Sequence, residues 1–173
     1  MKHVMIDLET LDTVATAKTL SIGAVAFDET GCVHRKVLIN LDLDSQKSRT
    51  MSGSTFDWWL GQSSEARAAI TGAERKLDLK SALKVLSGFM EGTAYKVWSN
   101  GAAFDIPILD HAYRELGIET PWKFGNVRCY RTIKAMHREV NVERTGTAHN
   151  ALDDAMYQMQ VLVAIHKAKG GIL

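Results

Sequence analysis

The chain has 173 residues, 46% of them apolar and 24% charged, and carries a formal net charge of +1. That composition excludes a disordered or collagen-like polypeptide, and a chain this long buries roughly 70% of its unfolded surface, so residues 1–173 are expected to form one globular domain without disulfides or a structural metal. Near-neutral charge excludes a sequence-independent nucleic-acid coat, which needs a large basic surface, but it does not exclude an enzyme that acts on nucleic acid.

In chain order, the apolar run His3 to Glu9 reads as a buried strand with its acids at the C-terminal edge. Leu20 to Asp28 and Cys32 to Leu43 follow as two β-rich runs joined by Asp28-Glu29-Thr30-Gly31, which predicts a hairpin on the same sheet. Residues 44–78 are polar around the cluster Phe56-Asp57-Trp58-Trp59-Leu60 and read as a helical or loop insertion. Ala82, Leu83, Leu86, Phe89 and Met90 then recur at helical spacing, with Gly92 as a stop. Tyr95 to Ser99 is a short strand, and Pro107 suits the first turn of a helix that ends at Gly117. A fifth strand is expected at Asn126 to Cys129, a helix at Tyr130 to Arg138, and a polar, mobile loop at Glu139 to Thr147. Ala151 to Lys167 closes the chain as a helix facing inward through Leu152, Ala155, Met156, Met159 and Val163. The order βββαβαβα makes a mixed α/β domain.

Cys32 and Cys129 fit neither a disulfide framework nor a zinc spacing and are expected as buried free thiols in a reducing cytosol. No apolar run reaches the ~18 residues of a membrane span and the start lacks a signal-peptide core, so a soluble, cytoplasmic protein without a membrane partner is expected. Lys123 to Arg144 holds six Lys or Arg against two Glu, a local excess available to phosphate or to solvent.

Three groups carry the chemistry. Asp7-Leu8-Glu9 places two carboxylates on one face of a strand, about 6–7 Å apart, where they either share a cation or form a solvated edge. Asn100-Gly101-Ala102-Ala103-Phe104-Asp105 ends a strand and opens a helix, where Asp105 is a ligand or a cap worth about 1 kcal/mol. His149 stands before the last helix with Asp153 and Asp154 in its first turn, where acids also suit the helix dipole. Each group has a structural explanation of its own; all three in this order on separate elements do not.

The ordered set resembles the DEDDh exonucleases of the ribonuclease H-like superfamily over nearly the whole chain. Asp7 and Glu9 match the first motif, Asp105 in Asn-x-x-x-Phe-Asp the second, and His149 with Asp154 the third, whose spacing is that of the histidine branch. Thr10-Leu11-Asp12 after the first motif, and Trp58-Trp59 followed by Ser63-Ser64-Glu65-Ala66-Arg67, depart from the proofreading pattern and look more like the small phage and bacterial exonucleases, including a mycobacterial exoribonuclease. The resemblance implies an α/β, ribonuclease H-like mixed five-stranded sheet flanked by helices. It also implies a 3′-to-5′ exonuclease acting on single-stranded ends, with DNA slightly ahead of RNA, and releasing nucleoside 5′-monophosphates. A binding adaptor without turnover would lack at least one ligand, and all five residues are present here.

By the same resemblance Asp7, Glu9, Asp105 and Asp154 hold two Mg²⁺ ions, or Mn²⁺, because oxygen-only ligands suit these cations better than zinc. His149 is the expected general base, swinging in from its loop. Phe104 and Leu11 are expected to wedge the terminal bases, with Thr10 and Asn100 beside them. Trp58 and Trp59 serve as base platform or core anchor and, being adjacent on a helix, cannot face the same way. Arg131 is expected to reach a phosphate. The oligomeric state is left open, a homodimer included.

Overall fold

The computed structural model describes residues 2–73, 75–92 and 94–173. Its sheet has the order β3-β2-β1-β4-β5, formed by β1 (Lys2–Thr10), β2 (Thr19–Asp28), β3 (Val33–Asn40), β4 (Lys96–Ser99) and β5 (Val127–Cys129). The first three strands run antiparallel, β4 pairs parallel to β1, and β5 pairs parallel to β4, each reached through a helical crossover. The helices are α1 (Gly53–Leu60), α2 (Ser64–Thr71), α3 (Leu79–Met90), α4 (Asp105–Glu115), α5 (Tyr130–Met136) and α6 (Ala151–Lys169), with one 3₁₀ turn at Phe124–Asn126. None of them is long and apolar enough to cross a membrane.

The central strands are buried on both faces, and their alternation decides what each face meets. Val4, Ile6 and Leu8 of β1 with Ile22, Ala24 and Ala26 of β2 pack against α3 and α4. Met5 of β1 with Val25 and Phe27 of β2 packs against α6, whose fully buried Val161, Leu162 and Ile165 each contribute about 1.5–3 kcal/mol. Asp7 and Glu9 share the register of Met5 and so face α6. Gly23 pairs with Asp7 across the sheet, and a Cβ built there would lie 2.1 Å from the Ala151 carbonyl oxygen. The glycine thus lets the first turn of α6 rest on the strand backbone opposite Asp7.

The polar insertion folds as two short helices with serine caps: Ser52 accepts from the Thr55 amide at 3.2 Å and Ser63 from the Ala66 amide at 3.1 Å. Arg49 fastens it to the body. This buried side chain donates to the carbonyls of Ala17, Ala15 and Ile108 and pairs with Glu115 at 3.1 Å. The expectation of buried thiols does not hold: Cys32 is exposed and Cys129 only half-buried, because both lie at strand ends at the rim of the sheet.

Candidate active site

β4 ends at Ser99 opposite Ile6, so β1 runs on past its neighbour and the Leu8 amide has no strand partner on that side. The Asp105 carboxylate takes the place of the missing strand, accepting from Leu8 N at 3.2 Å across 97 residues of sequence. Asp105 is therefore not a helix cap. It is the first residue of α4, 2% exposed, and its second oxygen is buried with no hydrogen-bond partner among the described residues. Beside it Asp7 accepts from the Gln158 side-chain amide at 2.7 Å. Burial and the fields of Asp105 and Glu9 hold Asp7 well above the usual carboxylate range. Burial, with Asp154 and Asp105 adding to it, pushes Glu9 up to about 8. Burial likewise lifts Asp105 to about 7 against the bond from Leu8.

The third motif closes the site from the α6 side. Asn150 caps the helix, accepting from the Leu152 and Asp153 amides at 3.1 and 3.2 Å, and Asp153 holds the preceding loop through the Thr147 amide at 2.8 Å. That division leaves Asp154 facing the other acids. A carboxylate oxygen of Glu9, one of Asp154 and a ring nitrogen of His149 lie within 4.8 Å of one another. His149 takes a left-handed backbone, φ 62°, which costs a non-glycine residue about 1–3 kcal/mol, and its amide donates to Asp154 Oδ2 at 3.3 Å. Its ring stands edge-on to Trp58 at 4.8 Å and to Trp59 at 6.2 Å, so the imidazole already occupies the site.

Two residues in this group escaped the sequence reading. Gln158 lies one turn beyond Asp154 on α6 and is buried among apolar neighbours, a polar residue on an inward face whose periodicity was its only signal. Arg144, from the loop before His149, pairs with Asp154 and lies over the Tyr157 ring at 5.1 Å. Nothing in its surrounding sequence marked it apart from the other basic residues.

Of the acids, Glu9 lines a cleft of about 350 Å³, together with Leu8, Thr10, Thr13, Ser54, Thr55, Trp58, Trp59 and Phe104. The two tryptophans divide as their adjacency requires. Trp59 is 4% exposed and donates to the Thr10 carbonyl at 2.9 Å, whereas Trp58 is 46% exposed at the mouth. Leu11 departs from expectation. It is buried with Leu20, Trp59, Ala66 and Ile70 and does not line the cleft, because the chain turns after β1 and packs this side chain under Trp59. Asn100 and Arg131 also stand outside the cleft wall. The guanidinium donates to the Asn100 carbonyl at 2.9 Å and lies 3.1 Å from where a Cβ on Gly101 would sit, and the φ of 104° at Gly101 is what favours glycine in this turn.

Oxygen donors from Asp7, Glu9 and Asp105, held above the usual carboxylate range chiefly by burial, and from Asp154, with one Asp105 oxygen unsatisfied, fit hard divalent cations. A sheet of this order, with acids and a histidine gathered at its edge, has the fold seen in solved DEDDh exonucleases. A family model described as the Rv2179c-like 3′-5′ exoribonuclease domain matches residues 2–166, and the chain belongs to that family. The chain is 28% identical to an exodeoxyribonuclease of Enterobacteria phage T4, over 74% of this chain and 68% of the phage protein. Among solved structures, the nuclease domain of 3′hExo, a DEDDh family member bound to rAMP, superposes with a TM-score of 0.65 at 13% identity, covering 97% of this chain and 92% of that domain. A zinc-bound E. coli exonuclease I complexed with single-stranded DNA gives a TM-score of 0.71 at 10% identity, covering 99% of this chain. The chain spans 41% of that longer protein. Family and phage relative together make the protein a 3′-to-5′ exonuclease.

Proposed function

We propose that the protein removes nucleoside 5′-monophosphates from single-stranded 3′ ends, with Asp7, Glu9, Asp105 and Asp154 holding two Mg²⁺ ions, replaceable by Mn²⁺, and His149 as general base. The observation that carries this reading is the approach of Glu9, Asp154 and the His149 ring within 4.8 Å, beside two further buried carboxylates. Bound there, divalent ions neutralise charge developing on the phosphate and make water a stronger acid. His149, wedged by the two indoles, is positioned to take the proton of an attacking water. Trp58 and Phe104 offer apolar surface for the terminal bases, worth about 1–3 kcal/mol per stacked base. Thr10 lines the same wall, while Trp59 and Leu11 hold Trp58's helix in place from the core. Arg131, fixed to the Asn100 turn, lends positive charge near Asp105 for a phosphate of the strand.

The family description favours RNA as substrate and the phage relative favours DNA. Matched single-stranded DNA and RNA oligonucleotides, with free or blocked 3′ ends, separate the two in one time course. Equal cleavage of blocked and free ends would contradict end recognition, and the faster polymer names the substrate.

A further inference from the structure

Outside the active site, metal-ligating side chains also gather at the tip of the β2–β3 hairpin. Asp28 ends β2, Cys32 precedes β3 and His34 is the second residue of β3. A carboxylate oxygen, the thiol sulfur and a ring nitrogen from these three lie within 4.8 Å of one another. The carboxylate is oriented by the turn, because Asp28 Oδ1 accepts from the Thr30 amide at 3.0 Å, the Thr30 hydroxyl at 2.6 Å and the Cys32 amide at 3.2 Å. Its other oxygen meets His34 Nε2 at 2.9 Å. Cys32 and His34 are two residues apart on extended chain and so share a face. The thiol is free and exposed, and the His34 side chain is 40% exposed, so ions reach all three groups from solvent.

We infer that this hairpin tip binds a soft divalent cation, zinc first, through Asp28, Cys32 and His34 with water in the fourth position. Sulfur, imidazole and carboxylate are the donors that zinc takes, whereas the oxygen-only acids of the active site suit harder ions, so the two sites sort cations by donor type. With metal–ligand distances of about 2.0–2.3 Å, donors around a tetrahedral ion stand roughly 3.3–3.8 Å apart. Starting from within 4.8 Å of one another, the groups close by at most about 1.5 Å on an exposed turn, while Asp28 and His34, 2.9 Å apart, open slightly as the ion replaces the hydrogen bond between them. The spacing Asp-x-x-x-Cys-x-His escapes a sequence search for zinc motifs because the hairpin, and not a shared helix or knuckle, brings the aspartate across to the other two. Thr30 and Gly31 of the same tip border a groove formed with Val142, Met156 and Val163, so the bound ion stiffens the turn where it meets α6.

The test is a Co²⁺ titration of the full chain in excess Mg²⁺, followed by the thiolate-to-cobalt charge-transfer absorption, to which oxygen ligands do not contribute. One equivalent of Co²⁺ should develop the band, and Zn²⁺ should displace it. Cys32→Ser should abolish it, Cys129→Ser should leave it intact, and His34→Ala should weaken Co²⁺ binding by more than the roughly 10–100-fold that loss of an outer-sphere partner costs. Retained exonuclease activity in Cys32→Ser and His34→Ala controls for folding. A missing band in the parent protein, a band that survives Cys32→Ser, one indifferent to His34→Ala, or half an equivalent of Co²⁺ bridging two copies in size-exclusion chromatography would each overturn the inference.

Discussion

Asp7 meets two opposed demands. Its charge is needed to hold a cation, yet in the cation-free fold that charge is buried beside Asp105 and Glu9 and accepts one bond, from Gln158. Asp7→Asn removes the repulsion together with the ligand. Hydrolysis should fall by at least about a thousandfold, the several kcal/mol that a catalytic ion supplies, while the thermal midpoint in chelator rises above that of the parent protein. Near-native turnover in a cleavage assay would contradict the role. At His149 the backbone conformation guides the choice of substitution. Asparagine tolerates positive φ, so His149→Asn should fold normally and lose about 10²–10⁴ in kcat, the range of a general base, with little change in KM. The acids and the histidine were legible because each sits at the end of an element that the sequence marks. Leu11 was not, since burial is decided by the turn after β1 and by Trp59 arriving from an insertion without clear periodicity.

At the scale of elements, Gly23 sets the distance between β2 and α6. Gly23→Ala places a methyl 2.1 Å from a backbone carbonyl that cannot rotate away, so the helix must lift. A cost of at least about 3 kcal/mol follows, roughly 6–12 °C in thermal midpoint, with activity lost in addition because Asp154 and Gln158 move with the helix. The opposite end of the sheet carries a pH response. His3 accepts from Trp98 Nε1 at 3.1 Å, and burial lowers its pKa from 6.5 to about 4. Between those values the unfolded chain binds a proton that the folded one refuses, so this contribution to stability is full above pH 6.5 and is lost as pH falls towards 4. Urea midpoints of the parent and His3→Gln, compared at pH 7 and pH 4.5, should converge at the acidic end; a constant gap would refute it. Strand and helix order follow directly from periodicity and stop residues. The breadth of α6 does not: this helix is buried well beyond the stripe Leu152, Ala155, Met156, Met159 and Val163, because it packs across β1, β2 and β3 and against α5.

For the whole molecule, the quartet exists only in the folded state, so cations that bind it should stabilise the entire domain. At a hundredfold excess over Kd the gain is about 2.7 kcal/mol, or roughly 5–10 °C, and calorimetry with and without Mg²⁺ should show it for the parent and lose it for Asp7→Asn. The layered architecture was readable from the alternation of elements, and the family relation from five residues. The clasp of Arg49 onto Ala15, Ala17, Ile108 and Glu115 was not, since no local pattern announces an arginine that ties a polar insertion to a distant helix. The bond between Gln158 and Asp7 spans 151 positions of sequence. A ribosome-tethered chain halted before Ala151 already carries Asp7, Glu9 and Asp105 but neither Asp154 nor its neighbour Gln158. The site is therefore completed only when the last helix docks.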